Sequence, residues 1–342
     1  MCTRASGNPE NRNGFPVFLI VIHEIASECG GTKMSYSYTP YTLHGPLYVS
    51  GAKLMDGNRI PFQLHGVSTH GLAWYPQYVT KETFQYLRDA WHVNCIRLAL
   101  YTAGSMGYQT DGDKESLLHL LTKGIDIASS LGLYVIVDWH VLEEHDPMVY
   151  LEGAKAFFQE VSSRYGSYGN ILYEICNEPN GNCNWDRVHT YASQIIPIIQ
   201  KNAPYSVILV GTPNWCQDIN VPQTSPILAR NIMYTMHFYA ATHGQEMRSR
   251  LLNAISNGIP VFISEFGICD ASGNGSIDVV EGNTWRSLIE QHGLSFICWN
   301  LSNKKESSSL INAMCPKLDD FTDNDLSPHG RWFRDWCQTK PL

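Results

Sequence analysis

From residue 45 onward, short apolar runs alternate with longer stretches in which apolar positions recur every three or four residues, the pattern of repeated strand-helix units closing a parallel sheet. Eight runs read as strands: 62–68, 95–101, 133–140, 171–178, 206–212, 232–239, 260–267 and 294–300. Between them the periodicity predicts helices over 81–91, 115–131, 152–165, 186–200, 245–257 and 284–292. The crossover after Thr212 is short and Pro-rich, so its helix reduces to a turn. A hairpin formed by 47–50 and 53–60 around Asp56-Gly57 is expected to close the N-terminal end of the sheet. Gly132 and Gly258 fit helix C-caps just before strands, and 328–336 reads as a closing helix. Eight such units define an α/β fold, a (β/α)8 TIM barrel, as one domain over 45–342.

Composition narrows the class. With 342 residues, 44% hydrophobic and 16% charged, the chain can bury a large core. A formal net charge of -8, with Lys and Arg scattered, supplies no basic field for nucleic acid and suits a neutral or weakly charged ligand. Eighteen Tyr and nine Trp fit such a ligand, because flat amphipathic rings stack on apolar sugar faces while leaving hydroxyls free.

Ahead of the barrel, the apolar run 15–22 follows Arg4 and Arg12 and weakly resembles a secretory signal, but His23 and Glu24 follow without a clean cleavage site. It is too short to span a bilayer, so no membrane partner is expected. Residues 24–44, rich in Ser, Thr, Gly and Tyr, extend it, and 1–44 are read as a leader or disordered segment. Of ten cysteines, Cys95, Cys176 and Cys298 fall in buried strands and read as reduced fillers. Cys183, Cys216, Cys269, Cys315 and Cys337 fall in loops or near the C-terminus, where bridges are possible but pairing is not legible. Their spacing matches no common zinc pattern, and neither a metal nor a cofactor is expected.

The chemistry lies at the strand ends. Glu178 closes the run 171–178 in Asn177-Glu178-Pro179, and Glu265 closes 260–267 in Ser264-Glu265-Phe266-Gly267. A parallel barrel gathers its strand C-termini into one mouth, so two glutamates distant in sequence can face each other there. Paired carboxylates in a cleft suit glycoside hydrolysis. Arg97, His140, Asn177, His237, Tyr239 and Trp299 occupy equivalent strand ends, and together they outweigh the bland reading of each as a satisfied structural side chain.

The segments 68–72 (Ser-Thr-His-Gly-Leu), 137–140 (Val-Asp-Trp-His), 173–181, 236–244 and 264–267 resemble glycoside hydrolase family 5, closest to its bacterial-type endo-β-1,4-glucanase (cellulase) branch, and the likeness extends from about Gly45 to Trp336. The resemblance implies a retaining mechanism with Glu178 as acid/base and Glu265 as nucleophile. It also implies that Arg97 and Tyr239 orient Glu265, that Asn177 binds the sugar 2-hydroxyl, and that His140 and His237 bind hydroxyls or brace the glutamates. Trp299 becomes a platform on the non-reducing side, with His70, Trp74, Lys304 and Glu306 lining further subsites there. Tyr101 is a further substrate contact, and Trp215 stacks on the leaving-group side.

Phe266 stands where relatives often carry Trp or Tyr. Glu174 shares the strand face of Glu178 and is assigned a structural role beside a buried cation. His145 and His243 are read as peripheral loop residues. The expected partner is a β-glucan polysaccharide met outside the cell by a secreted monomer. Alternatives are the same chemistry on mannan, mixed-linkage glucan or xyloglucan, and, in a different class, a non-catalytic glycan-binding barrel. No Gly-x-Ser-x-Gly elbow supports a serine hydrolase, and no His-Glu-x-x-His spacing supports a metal-assisted one.

Overall fold

The computed structural model describes residues 38–341. Most of the expected leader, 1–37, lies outside the described residues. Residues 40–44, assigned from sequence to the end of that leader, form a short helix α1 (Pro40–His44), capped by Thr39 and tied to the barrel by Tyr41 N–H donating to Gly132 O at 2.8 Å. The hairpin strands β1 (Tyr48–Ser50) and β2 (Lys53–Met55) follow. Their turn is at 51–52 rather than Asp56-Gly57. Asp56 instead makes a second turn, its carboxylate accepting from the N–H groups of Asn58 and Ile60, each at 2.9 Å. That ends β2 at Met55.

Eight parallel strands form a closed barrel: β3 (His65–Thr69), β4 (Cys95–Tyr101), β5 (Tyr134–His140), β6 (Ile171–Glu174), β7 (Ile208–Gly211), β8 (Ile232–Tyr239), β9 (Val261–Gly267) and β10 (Phe296–Leu301), with β10 pairing β3. Outside it pack α2 (Lys81–Trp91), α3 (Lys114–Ser130), α4 (Leu151–Tyr165), α5 (Trp185–Asn202), the one-turn segment α6 (Pro213–Cys216), α7 (Gln245–Ser256), α8 (Val279–His292) and α9 (Pro328–Cys337). The short fifth crossover is thus as its prolines imply. Helix starts are set by side-chain caps on orphan N–H groups: Thr80, Asp113, Asn184, Asp278 and Ser327 each accept from the first turn. Asp278 starts α8 five residues ahead of the periodic run 284–292. Gly132 and Gly258 follow α3 and α7 with φ of 67° and 77°, the left-handed step that redirects each chain into its strand.

Period-two alternation sorts each strand into an outer and an inner face. Outward residues such as Ile96, Leu98, Val135, Val137, Trp139 and Tyr173 form the main apolar core beneath the helices. Phe266 joins this layer, stacked on Phe238 and edge-on to Trp332 and Trp336. The barrel interior is divided across its length. Its N-terminal half is apolar, with Cys95, Tyr134, Ile136, Leu172, Leu209, Met233, Phe262 and Ile297 packed over Leu47, Leu54 and Leu64. One inward step along the same strands come Ser68, Arg97, Asp138, Glu174, Thr235, His237 and Ser264, all buried and polar. The apolar half is a floor, and the polar half carries the chemistry.

Cys95, Cys176 and Cys298 are buried and reduced, as are Cys183, Cys216, Cys269, Cys315 and Cys337, of which Cys216 and Cys337 end helices α6 and α9. No helix among the described residues is long and apolar enough to cross a membrane.

Candidate active site

At the C-terminal mouth of the barrel lies a cleft of about 440 Å³ lined by His70, Tyr101, His140, Glu178, Trp215, His237, Tyr239, Glu265, Trp299, Lys304 and Glu306. Arg97 and Asn177 are fully buried beneath it. Trp74 stands behind its wall, edge-on to His70 and Tyr101 at ring separations of 5.6 and 4.7 Å. The residues that sequence reasoning singled out therefore converge on one place.

Glu178 is not on a strand, because β6 ends at Glu174 and the next four residues leave the regular ladder. They stay fixed through Ile175 N–H to Leu209 O, Asn177 N–H to Trp139 O and Glu178 N–H to Val141 O, at 3.0 to 3.2 Å. Gly211 lets this segment approach, since a Cβ there would lie 2.3 Å from Cys176 O. Glu265 reaches the cleft through the opposite irregularity. The β8–β9 register shifts between Thr235 and His237, so His237 pairs with Glu265, and neighbouring Ser264 and Glu265 both face inward.

An oxygen of Glu178 and one of Glu265 lie within 4.8 Å of each other, closer than the gap of about 6.5 to 9.5 Å that would hold a water between two carboxylates. Their surroundings differ. Glu265 accepts from Arg97 Nη1 at 3.2 Å and from the Tyr239 hydroxyl at 2.7 Å. Burial raises its pKa, against the opposing pull of Arg97. Glu178 has no direct cation, and burial pushes it up to about 7 despite Arg97. Of the two, Glu265 is the one held ionised and Glu178 the one held protonated.

The hydrogen-bond network places that proton. Ser264 donates to Glu174 Oε1 at 2.6 Å, so its oxygen is an acceptor for His237 Nε2–H at 2.9 Å. Burial lowers the His237 pKa to about 4, so the ring is neutral and its Nδ1 accepts. Its partner there, at 2.8 Å, is Glu178 Oε1, which must then carry the hydrogen. By the same logic His140 donates Nδ1–H to Asp138 Oδ2 at 2.6 Å, leaving Nε2 to accept from Asn177 Nδ2 at 3.2 Å. Asn177 is fixed in turn by Arg97, whose Nη2 donates to its Oδ1 at 2.5 Å.

Arg97 organises this layer. Its Nε donates to Glu174 at 2.7 Å and its Nη2 reaches Asp138 at 3.0 Å, besides the contacts to Glu265 and Asn177. Glu174 sits beside a buried cation, as expected of it. Three carboxylates against one guanidinium leave uncompensated negative charge, and for Asp138 burial outweighs Arg97, raising its pKa to about 7. Glu178, His237 and Glu265 are also near enough to hold a metal ion among the described residues. Glu265, however, already has both oxygens occupied by Arg97 and Tyr239, and His237 by Glu178 and Ser264.

Around the cleft, Trp299 stacks with His140 at 5.4 Å, and His140 with Tyr101 at 4.0 Å. Lys304 pairs with Glu306 at 2.6 Å, and Glu306 is held by Asn300 and Ser308. Trp215 is 43% exposed on the opposite rim. It sits in a run of three left-handed residues, Asn214, Trp215 and Cys216, with φ of 56°, 54° and 58°. Its N–H donates to Pro179 O at 3.1 Å, tying the ring to the segment that bears Glu178.

Sequence reasoning missed Asp138 and Ser264. Period-two alternation puts Asp138 on the face of His140, a signal that was present. Ser264 lies out of phase with Glu265, and only the register shift brings both inside. Leu142, Gln217 and the loop 271–273 also line the cleft, and His243 lies in its wall rather than at the periphery.

A sequence profile for Cellulase (glycosyl hydrolase family 5) matches residues 55–305. Endoglucanase A of Butyrivibrio fibrisolvens is 44% identical over 85% of the chain and 68% of its own length. An endoglucanase of Clostridium saccharobutylicum is 42% identical over 84% of the chain. The chain spans 63% of that second relative. Among solved structures, the catalytic domain of Thermobifida fusca endoglucanase Cel5A, in complex with cellotetraose, superposes with a TM-score of 0.83 at 35% identity, covering 88% of this chain and all of that one.

Proposed function

The chain belongs to the cellulases of glycosyl hydrolase family 5, and from that premise we propose that it is an endo-β-1,4-glucanase, cutting internal bonds of cellulose and soluble β-glucans with retention of anomeric configuration. The observation that carries this is the close approach of Glu178 and Glu265 in unequal surroundings. In the first half-reaction Glu265 attacks the anomeric carbon while Glu178 gives its proton to the departing glycosidic oxygen. The products are a glucosyl ester of Glu265 and a free chain end. Esterification removes the negative charge facing Glu178, whose pKa then falls. The carboxylate takes a proton from water, the hydroxide equivalent attacks the anomeric carbon, and Glu265 leaves as the free carboxylate.

Geometry supports the roles of Arg97, Tyr239 and His237, and the family resemblance assigns the sugar contacts. Arg97 and Tyr239 donate to Glu265 and favour its ionised form. His237 holds the proton-bearing oxygen of Glu178. By that resemblance Asn177, locked by Arg97, binds the 2-hydroxyl of the sugar being cleaved. By the same resemblance Trp299, His70, Lys304 and Glu306 bind the non-reducing side and Trp215 the leaving-group side. Every residue in this set comes from one chain, so a single copy carries a complete site, and the enzyme is proposed to work as a monomer. Its polymeric substrate cannot enter a cell, so the enzyme works as a secreted protein.

Initial rates on carboxymethylcellulose, barley β-glucan, xylan and mannan, followed by viscosity and by reducing ends, test the proposal. Rapid viscosity loss confined to β-glucans is expected. Preference for mannan or xylan would overturn the substrate, and absence of cleavage on all four would favour a glycan-binding barrel.

A further inference from the structure

Among the cleft imidazoles, His243 is one that the mechanism above does not use. His243 lies in the turn after β8 and lines the cleft. The backbone N–H of Tyr239 points away from β9, toward the side of β8 that β7 would occupy. But β7 makes its last pairing at Gly211 with Thr235, four residues too early to accept from it. A buried N–H without a partner is costly, so something must accept it. His243 Nδ1 does so at 2.8 Å.

The same turn returns to the Tyr239 carbonyl, which accepts from His243 N–H at 2.8 Å and Thr242 N–H at 2.9 Å. The turn is itself anchored, because Trp285 Nε1 of α8 donates to His243 O at 2.7 Å. On its other face the Tyr239 ring lies against Gly267, where a Cβ would meet two ring carbons at 2.9 Å. With its backbone gripped on one side and its ring on the other, the phenol has one aim. It donates to Glu265 Oε1 at 2.7 Å.

We infer, on the basis of the β-glucanase mechanism proposed above, that His243 is a positioning residue for the nucleophile: its Nδ1 fixes the Tyr239 backbone and so holds the phenol on Glu265. Accepting from a backbone N–H commits Nδ1, so the neutral ring carries its hydrogen on Nε2. Glu265 is faced by Arg97 from β4, His140 from β5, Glu178 beyond β6, and His237 and Tyr239 from β8. Arg250 of α7 is the charge that acts on His243. Of the donors to Glu265, the phenol alone depends on a backbone that lacks a sheet neighbour on one side. Releasing it withdraws a donor from the ionised carboxylate, so its pKa rises and a higher pH is needed before Glu265 is ionised and free to attack.

The test compares kcat/KM against pH on soluble β-glucan for wild type, His243→Ala and His243→Asn, whose Oδ1 can accept the same N–H. His243→Ala is expected to lose about tenfold in kcat with KM little changed, and to move the acid limb upward by about half a unit or more. His243→Asn is expected to restore both. In a Tyr239→Phe background, which has no phenol to position, His243→Ala should cost almost nothing further. Equal behaviour of the Ala and Asn variants with KM raised and the acid limb unmoved, or full additivity with Tyr239→Phe, would overturn the inference. Should His243→Ala not fold, His243→Gln, with its carbonyl one bond too far out, replaces it in the same cycle. Wild-type cleavage of β-glucan decides the proposed function independently of these ratios.

Discussion

Glu178 and His237 share one hydrogen across 2.8 Å, and the second nitrogen of the ring is committed to Ser264. This bond ties the acid's protonation to residues that never touch the sugar, since Ser264 is in turn held by Glu174 and Glu174 by Arg97. Altering any link should register in the pH dependence before it registers in substrate affinity.

Activity should fall as pH rises through about 7, where Glu178 loses the proton it must deliver. The stability consequence has the same sign. A carboxyl whose folded pKa lies above its unfolded value of 4.5 binds more protons folded than unfolded between the two, so stability declines as pH rises through that window, by roughly 3 kcal/mol from this group. Melting curves of Glu178→Gln and wild type should nearly coincide at pH 4 and separate by pH 8, with the variant higher. A constant gap at every pH would contradict the raised pKa.

The two glutamates should fail differently. Glu265→Gln removes the attacking group and should abolish turnover of every glucoside. Glu178→Gln should cost about 10²- to 10⁴-fold on polymer but spare the first step when the leaving group needs no protonation. A dinitrophenyl cellobioside should then give a burst followed by slow turnover, visible by stopped-flow absorbance. A burst from Glu265→Gln instead would reverse the two roles.

Arg97 is buried with Glu174, Asp138 and Glu265 on its nitrogens. Arg97→Met leaves those carboxylates without their cation and should lower unfolding free energy by about 3 to 5 kcal/mol. Arg97→Lys keeps the charge but has no planar fork to bridge so many partners, so it should recover part of the stability and little of kcat. Urea melts with parallel kinetics separate the two effects.

Trp215 carries a left-handed backbone on the cleft rim, a conformation that disfavours any side chain by about 1 to 2 kcal/mol. Trp215→Gly and Trp215→Ala should therefore both raise KM for polymer, while the glycine variant is the more stable of the pair by about 1 kcal/mol. Equal stability would mean that the ring, rather than the cleft wall around it, holds that backbone shape.

Much of the fold was legible because hydrophobic period reports a local quantity. Runs such as 95–101 and 232–239 became β4 and β8 without change of boundary, since strands buried on both faces read as continuous apolar sequence. Errors arose where a local signal was overruled by a neighbour. The run 171–178 reads as one strand, yet β6 stops at Glu174, and the chain there leaves the ladder to aim Glu178 across the mouth. At 53–60 the Asp56 carboxylate captures two backbone N–H groups and ends the strand.

The sequence by itself determined the barrel and which two glutamates lie at its mouth, because apolar periodicity, turn residues and motif order are all properties of short stretches. It could not decide distances. The approach of Glu178 to Glu265 depends on the register shift in β9, and the proton on Glu178 depends on a hydroxyl of the same shifted strand. Unequal acidity of two chemically identical carboxyls is a property of their surroundings: burial raises both, and only the folded chain determines that Arg97 and Tyr239 attend one of them and His237 the other.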